Sequence, residues 1–388
     1  MKVPAGWTVE NIGSQIDLIS GQHVEAQYCN DFGEGIPYLT GPSDFEGYKI
    51  TPTKYTTLPT KFCQPGDILI TVKGSGTGRI AISDNIYCIS RQLMAIRGHT
   101  AHQNFLFQAL IPLQSKFSEA ANGLIPGIAR SDITGLNILL PPLPEQHEIA
   151  TILSTWDDSL STLARLSDTK RQQKRALAEQ LLTGKRRLKG FEGEWAVLVM
   201  GDLFEERREQ GNIDLPLLSI TRDRGIIPRN ELEKKDTSNE DKSKYLKICI
   251  NDIGYNTMRM WQGVSALSEI EGIVSPAYTI CIPKKAIDPS FAACMLKSES
   301  LISLFERHSQ GLTSDTWNLK FSIFKKIPVF IPKDIAEQQA ISAVLLALDT
   351  EIDLLVRQHA KVQEQKRGLM DLLLTGKVRV QVPEEVPA

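Results

Sequence analysis

Glu145-Gln146-His147-Glu148-Ile149 opens a stretch that closes on Leu181-Leu182-Thr183-Gly184-Lys185. The same stretch returns as Glu337-Gln338-Gln339-Ala340-Ile341 through Leu373-Leu374-Thr375-Gly376-Lys377. The offset is 192 at both ends (145 to 337, 185 to 377), so the copies align without a gap. Between the ends it carries Asp157 onto Asp349 and Gln173-Lys174-Arg175 onto Gln365-Lys366-Arg367. A repeat of this length means two copies of one structural unit. In the first copy apolar residues recur at Ile149, Leu153, Trp156, Leu160 and Leu163, and again at Leu177 and Leu181. The second copy repeats the rhythm at Ile341, Leu345, Leu348, Ile352 and Leu355, then Leu369 and Leu373. Steps of four and three held over several turns specify a coiled-coil seam. About 38 residues at 1.5 Å each make a helix roughly 55 Å long.

Boundary signals agree with this reading. Pro144 suits a first helical position, and Asp334 stands three residues before Glu337, as in a capping box. Gly184 and Gly376 stand where a left-handed residue closes a helix. Two such helices in one chain are expected to pair antiparallel, with the preceding domains at opposite ends. The competing arrangement packs each helix on its own domain. The polar middle of each seam (Lys170 and Lys174; His359 and Lys366) would be costly in a dry core, and is expected to set register or to face a partner.

The helices partition the remainder. Residues 1–144 and 191–336 are each a variable segment, followed by helical segments 145–190 and 337–380, and 381–388 reads as a disordered tail. The variable segments open alike, Gly6-Trp7-Thr8-Val9 against Trp195-Ala196-Val197, and close alike, Ile138-Leu139-Leu140-Pro141 against Phe330-Ile331-Pro332. Their interiors differ. Short β-type runs such as Asp67–Val72 and Ile273–Ile280, with helical stretches near Phe105–Ile111 and Phe291–Glu306, make each segment α+β.

Composition bounds the class. The chain has 388 residues, 41% of them apolar, and a net charge of −2. No apolar run is long enough for a membrane span and no signal-peptide core follows Met1, so a cytoplasmic location is expected. The six scattered cysteines form no CxxC pair and read as reduced structural thiols. Near-neutral charge counts against nucleic-acid binding. However, Lys49 to Arg97 holds seven basic residues against Asp67 and Asp84, and phosphate binding needs only a local positive face.

From end to end the chain resembles the specificity subunit of a type I restriction–modification system. The likeness rests on Pro4-Ala5-Gly6-Trp7, Pro65-Gly66-Asp67-Ile68-Leu69-Ile70, Gly74–Arg79, Asp252–Gly263 and Gly272–Tyr278. Most specific are the duplicated Glu-Gln starts and Leu-Leu-Thr-Gly-Lys ends. One departure is Gly254, where the family commonly has a β-branched residue or Leu. The resemblance implies two α+β target-recognition domains, each reading one half of a split, asymmetric site in double-stranded DNA. It further implies that the helices are a spacer and the platform for two modification subunits, with restriction subunits joining them. Methyl transfer and cleavage would belong to those partners, along with S-adenosylmethionine, ATP and Mg, and this chain would carry no cofactor. Half-site centres about one helical turn, roughly 34 Å, apart would be readable from one face of the duplex.

Candidate DNA contacts in the first segment are Lys73, Ser75, Thr77 and Arg79, on a glycine-rich loop, and Arg91-Gln92, whose side chains suit guanine and adenine edges. A tight β-hairpin with solvated charges is the competing reading of that loop. In the second segment the candidates are Arg222, Arg224 and Arg229 on a basic turn, and Asn256, Arg259 and Gln262 around Trp261. Of these surroundings, Met258, Met260 and Trp261 could equally be core. No Walker loop, HExxH, GxSxG or amino-methyltransferase Pro-Pro signature occurs, so the chain is expected not to be an enzyme. Two alternatives stay open: a stand-alone methyltransferase or nuclease with unrecognised motifs, and a coiled-coil scaffold that never touches DNA.

Overall fold

Both repeat copies fold as one continuous helix, Leu143–Leu182 and Ile335–Leu374. The computed structural model describes residues 3–74, 76–120, 127–211, 214–232, 241–313 and 316–382. The proposed tail at 381–388 lies outside the described residues beyond position 382. The chain divides into two compact units, Met1–Leu163 with Gln358–Ala388, and Ala164–Arg357. Each unit therefore holds half of each long helix.

In the first unit, Glu145 and Asp157 of one helix meet Arg379 and Lys366, which follow and lie within the other. Ascending numbers meet descending ones, so the halves run antiparallel. In the second unit the same rule holds for Lys170 with Glu351, Lys174 with Asp349, and Arg187 with Glu337. Shifting Lys174 and Asp349 by 192 gives Lys366 and Asp157, so one set of contacts recurs with the two helices exchanged. Ile149, Leu153, Leu181, Ile341, Leu345, Ile352 and Leu373 are buried, while Trp156, Leu160, Leu163, Leu177, Leu348, Leu355 and Leu369 are half-buried. Of the polar middle positions, Lys170, Lys174 and Lys366 carry ion pairs while His359 carries none among the described residues, and Lys366 is 7% exposed at its side chain.

The helix ends differ in detail from the sequence reading. The first helix begins at Leu143 rather than Pro144. Asp334 caps the second by accepting from the Ala336 amide at 2.9 Å. Glu337 does not close a capping box; its carboxylate turns inward to Arg187 at 2.9 and 2.6 Å and to the Trp195 indole at 3.3 Å. Charge pairing in a dry environment outweighs a solvent-exposed cap. Its counterpart Glu145 receives Arg379 at 2.5 and 2.7 Å and the Trp7 indole at 3.0 Å. Gln146 bridges the Pro141 carbonyl and the His102 amide, each at 2.8 Å. Gln338 bridges the Pro332 carbonyl and the Asp288 amide at 2.8 and 2.7 Å. The Glu-Gln pairs are thus buried clasps that fix each helix start to its own unit. Gly376 has φ 65°, and a Cβ there would lie 2.4 Å from Pro4 Cγ, so the Leu-Leu-Thr-Gly-Lys end closes against the Pro4–Trp7 motif.

The remainder of each unit is built on a shared four-stranded antiparallel sheet. In the first unit its order is Ile80–Ile82, Ile68–Thr71, Leu93–Gly98, Ile16–Ser20. In the second it is Ser265–Leu267, Ile253–Asn256, Tyr278–Pro283, Phe204–Arg207. A two-stranded ribbon accompanies each, Thr8–Asn11 with Asn137–Leu140 and Trp195–Val199 with Pro328–Pro332. Helices Gln103–Leu110 in the first unit and Pro289–Met295 and Glu299–His308 in the second bury Phe105, Phe291 and Phe305. What each unit adds is different. The first inserts a five-stranded sheet (Cys29–Asn30, Lys54–Thr56, Ile36–Leu39, Tyr87–Ile89, Phe62–Cys63) with one parallel pairing, Tyr38 to Cys88. The second adds two antiparallel strand pairs, the hairpin Leu218–Ile220 with Ile226–Pro228, and Leu246–Ile248 with Gly272–Val274, which flank two strands of the shared sheet in the chain. Gly254 belongs to this difference: a Cβ there would stand 2.3 Å from Ile220 Cδ1 and within 3.3 Å of Ile248 and Ile280. Glycine leaves room for three isoleucines to close the second unit's smaller core. All six cysteines are free thiols.

Candidate nucleic-acid interface

The central strand of each shared sheet starts from a buried aspartate. Asp67 accepts the Gln64 amide at 2.8 Å and holds Arg97 in two bonds of 2.7 Å. Asp252 accepts the Cys249 amide at 2.8 Å and holds Arg207 at 2.6 and 3.1 Å. These hydrogen bonds raise both guanidinium pKa values above their ordinary range. Bidentate pairing of this kind is geometrically specific, and it fixes the strand whose far end delivers the candidate loops.

In the first unit that strand runs into Lys73–Arg79. The connection is a tight hairpin, with the Thr71 amide on the Arg79 carbonyl at 2.9 Å and Gly78 on Thr71 at 2.8 Å. Lys73 is exposed, and Ser75 lies outside the described residues. Thr77 is buried and its hydroxyl donates to the Gly74 carbonyl at 2.6 Å, which makes it a brace of the turn. Arg79 is exposed, with long contacts of 3.5 Å to the Pro42 and Phe45 carbonyls. The loop's glycines answer to neighbours in the protein: a Cβ at Gly76 would lie 2.5 Å from Pro42, and one at Gly78 2.9 Å from Phe117.

Arg91 and Gln92 are exposed and line a cavity of about 320 Å³ with His23, Tyr38, Thr40 and Lys54. Gln92 joins this cavity to the loop, because its carbonyl accepts the Val72 amide at 2.8 Å. Its side-chain oxygen fills space that only a glycine leaves, 2.6 Å from where a Cβ of Gly41 would stand. The amide stands at the cavity wall with no side-chain hydrogen bond among the described residues. His23 and Tyr38 were not singled out by sequence reading, and Lys54 entered it only as one of the seven basic residues between Lys49 and Arg97. They come together only through the inserted sheet.

In the second unit, Arg229 and Asn256 share a cavity of about 480 Å³ with Lys244, Tyr245, Ser275 and Tyr278. Arg229 donates to the Ser219 hydroxyl at 3.2 Å, which points its guanidinium along the cavity wall. Asn256 accepts the Met258 amide at 3.0 Å through its side-chain oxygen, leaving its NH2 available. Arg259 and Gln262 stand on the same loop, and Arg259 is exposed without an ion-pair partner among the described residues. Met260 is core, Trp261 is half-buried and Met258 is 49% exposed, so the loop is mixed rather than wholly interior. Arg222 and Arg224 lie apart from this cluster, on the turn between Ile220 and Ile226, where Arg224 reaches Glu231 at 3.3 Å. Tyr245 was missed by sequence reading, and Tyr278, which ends the Gly272–Tyr278 motif, was not singled out as a contact.

Each unit thus presents guanidinium, ammonium and amide donors from a braced loop and from the wall of its insert. Such groups read base edges and hold phosphates. Among the described residues no group of His, Cys, Asp and Glu is arranged to hold a metal ion, and no helix is long and apolar enough to cross a membrane.

Residues 4–169 match the family described as the type I restriction modification DNA specificity domain. The putative type I restriction enzyme MjaX specificity subunit of Methanocaldococcus jannaschii is 31% identical over 193 residues, which span 48% of this chain and 45% of that protein. This chain therefore covers less than half of that relative's length. The MjaVIII specificity subunit of the same organism is 22% identical, over 98% of this chain and 95% of its own length. Among solved structures, the type I restriction–modification S subunit from M. genitalium superposes with a TM-score of 0.62 at 19% identity, covering 96% of this chain and 98% of that one. That likeness establishes a shared fold: two sheet-rich α+β domains with two long helices.

Proposed function

We propose that this chain, whose residues 4–169 match the type I restriction modification DNA specificity domain, is a reader of duplex DNA and not a catalyst. Each unit recognises one half of a bipartite site. The observation that carries this reading is the contrast within the repeat. Both units keep the same four-stranded sheet, the same anchored central strand and the same Glu-Gln clasp, and they differ in what is inserted above it. Constant scaffolding with divergent donor-bearing inserts is what two half-sites of unlike sequence require. The site is therefore asymmetric.

In the first half, Lys73 and Arg79 contact the backbone or a guanine edge, while Arg91 and Gln92 read bases from the cavity wall. In the second, Asn256, Arg259 and Gln262 read bases, and Arg222, Arg224 and Arg229 hold phosphates. The paired helices set the unspecified interval between halves and carry two modification subunits, which restriction subunits join. S-adenosylmethionine, ATP and Mg act on those partners, and the complex works in the cytoplasm on the chromosome. Mapping methylated adenines across a genome with and without this chain tests the reading. A single split motif should depend on the chain, and replacing 191–336 with a foreign segment should change one half of that motif only. Turnover by the chain alone, or methylation unaffected by its removal, would reject it.

A further inference from the structure

Asp44 is wholly buried in the first unit, and its carboxylate accepts five hydrogen bonds. One oxygen takes the Thr40 amide at 2.7 Å, the Thr40 hydroxyl at 3.0 Å and the Gly41 amide at 3.2 Å. The other takes the Thr53 amide at 3.1 Å and the Thr53 hydroxyl at 2.7 Å. A carboxylate saturated with donors fixes the chain around it. Here it ties Thr40 and Gly41 to Thr53 across the strand pair Phe45–Glu46 and Lys49–Ile50. The segment so held touches both groups of candidate contacts in this unit. On one side Pro42 lies 2.5 Å from where a Cβ of Gly76 would stand, and the Arg79 guanidinium reaches the Pro42 and Phe45 carbonyls at 3.5 Å. On the other side the Thr40 carbonyl accepts the Ser90 hydroxyl at 2.8 Å, and that hydroxyl accepts the Gln92 amide at 3.2 Å. The side-chain oxygen of Gln92 is 2.6 Å from a Cβ position at Gly41 and 3.8 Å from one at Gly74. Gln92 is therefore seated between the segment held by Asp44 and the loop that carries Arg79.

Resting on the reading of Arg79 and Gln92 as DNA contacts given above, we infer that Asp44 is the positioning residue that sets these two donors in register on one half-site. Buried as it is, Asp44 meets no base or phosphate. It acts through Pro42 and Gly41, which wall in the Arg79 loop and the Gln92 side chain. Recognition by hydrogen bonds to base edges needs donors placed within about 0.5 Å, and side chains reach that precision only when the shell behind them is locked. Arg79 and Gln92 come from different strand connections, so one rigid body must stand against both. A drift of residues 40–44 would move one wall of the Gln92 slot and the carbonyls beside Arg79 together.

The test uses the full chain assembled with its modification subunits, and duplexes carrying the methylation-mapped site or single-base variants of it. Asp44→Asn keeps the shape of the side chain. Whichever way its amide turns, the NH2 faces a backbone N–H, that of Thr53 or those of Thr40 and Gly41. Discrimination is a ratio of affinities for true and altered duplexes, so partial unfolding lowers the bound fraction without changing it. Asp44→Asn should lower discrimination in the first half about tenfold, at the positions lost by Arg79→Ala and by Gln92→Ala alike, and leave the second half as in the parent. Thr53→Val, which removes one hydroxyl from an exposed residue, should lose a few-fold at the same positions. Added to Gln92→Ala, Asp44→Asn should cost nothing further at the base that Gln92 reads, because a missing side chain needs no placing. Parental discrimination in Asp44→Asn, while Arg79→Ala and Gln92→Ala each lose theirs, would overturn the positioning role and leave DNA reading intact. A loss spread equally over both halves would overturn it as well. Parental discrimination in the two alanine variants would instead sink the reading of those contacts, and the positioning role with it.

Discussion

Removing Asp157 should unfold the first unit disproportionately to its small size. Its carboxylate accepts Lys366 at 2.6 Å and the Gln108 amide at 2.8 Å, and Lys366 is 7% exposed against 31% for Asp157. Exposed pairs contribute about 0–1 kcal/mol, while stripping one partner from a buried pair costs about 3–5 kcal/mol. With one side of the pair sealed and the other a third open, Asp157→Ala should cost about 2–3 kcal/mol, most of it the unpaired ammonium. In a cooperative unit of this size that lowers Tm by about 5–10 °C. The companion variant is Asp157→Leu with Lys366→Leu. It discards the ion pair, extends the apolar seam and leaves only Gln108 short of an acceptor, about 1 kcal/mol. It should therefore melt within about 1 kcal/mol of the parent. Circular dichroism at the helix band and hydrogen exchange across 150–160 report the two effects. If Asp157→Ala melts like the parent, or the double leucine variant is as unstable as the single one, the pair is not what holds this half of the seam.

Inserting four residues after Leu160 should lengthen the unspecified interval of the methylated motif and leave both half-sites unchanged; sequencing that shows an altered half-site contradicts the spacer role. Replacing Arg91 and Gln92 with alanine should relax specificity in one half only, by about 1–3 kcal/mol per lost base contact, as read by competition between site variants. Equal discrimination by variant and parent would remove both from the reading surface. Gly254→Val should overpack the second unit against Ile220 Cδ1, 2.3 Å from its new Cβ, and cost about 1–3 kcal/mol in thermal melting. An unchanged melt would show that the isoleucines move aside freely.

The paired helices were legible because their signal is periodic and local. The seam at Ile149, Leu153, Ile341 and Leu345 follows directly from a 3.5-residue repeat. The clasp was only half legible. Glu145 and Glu337 stood out by repetition, yet their partners Arg379 and Arg187 lie just past the Leu-Leu-Thr-Gly-Lys ends, at the same offset of 192. Extending the alignment two residues would have found them. The candidate surface was less readable, for a physical reason. Whether a hydroxyl or guanidinium faces solvent depends on packing, often against chain brought from far away: Pro42 against Gly76, and Tyr38 beside Gln92. Composition names the donors, and only packing decides which remain free. The glycines at 76 and 78 show the same limit, since their lack of side chains serves neighbouring protein.

The first unit is assembled from both ends of the chain, with Met370, Leu373 and Arg379 closing around Ile149 and Trp7. The second is drawn from one uninterrupted run, 164–357. On a ribosome, which releases residues in order, the later-made reader can finish folding while the earlier-made one still waits for its last helix turns. Premature termination after residue 357 would accordingly leave the internal reader whole and its older sibling open, with Glu145 deprived of its arginine.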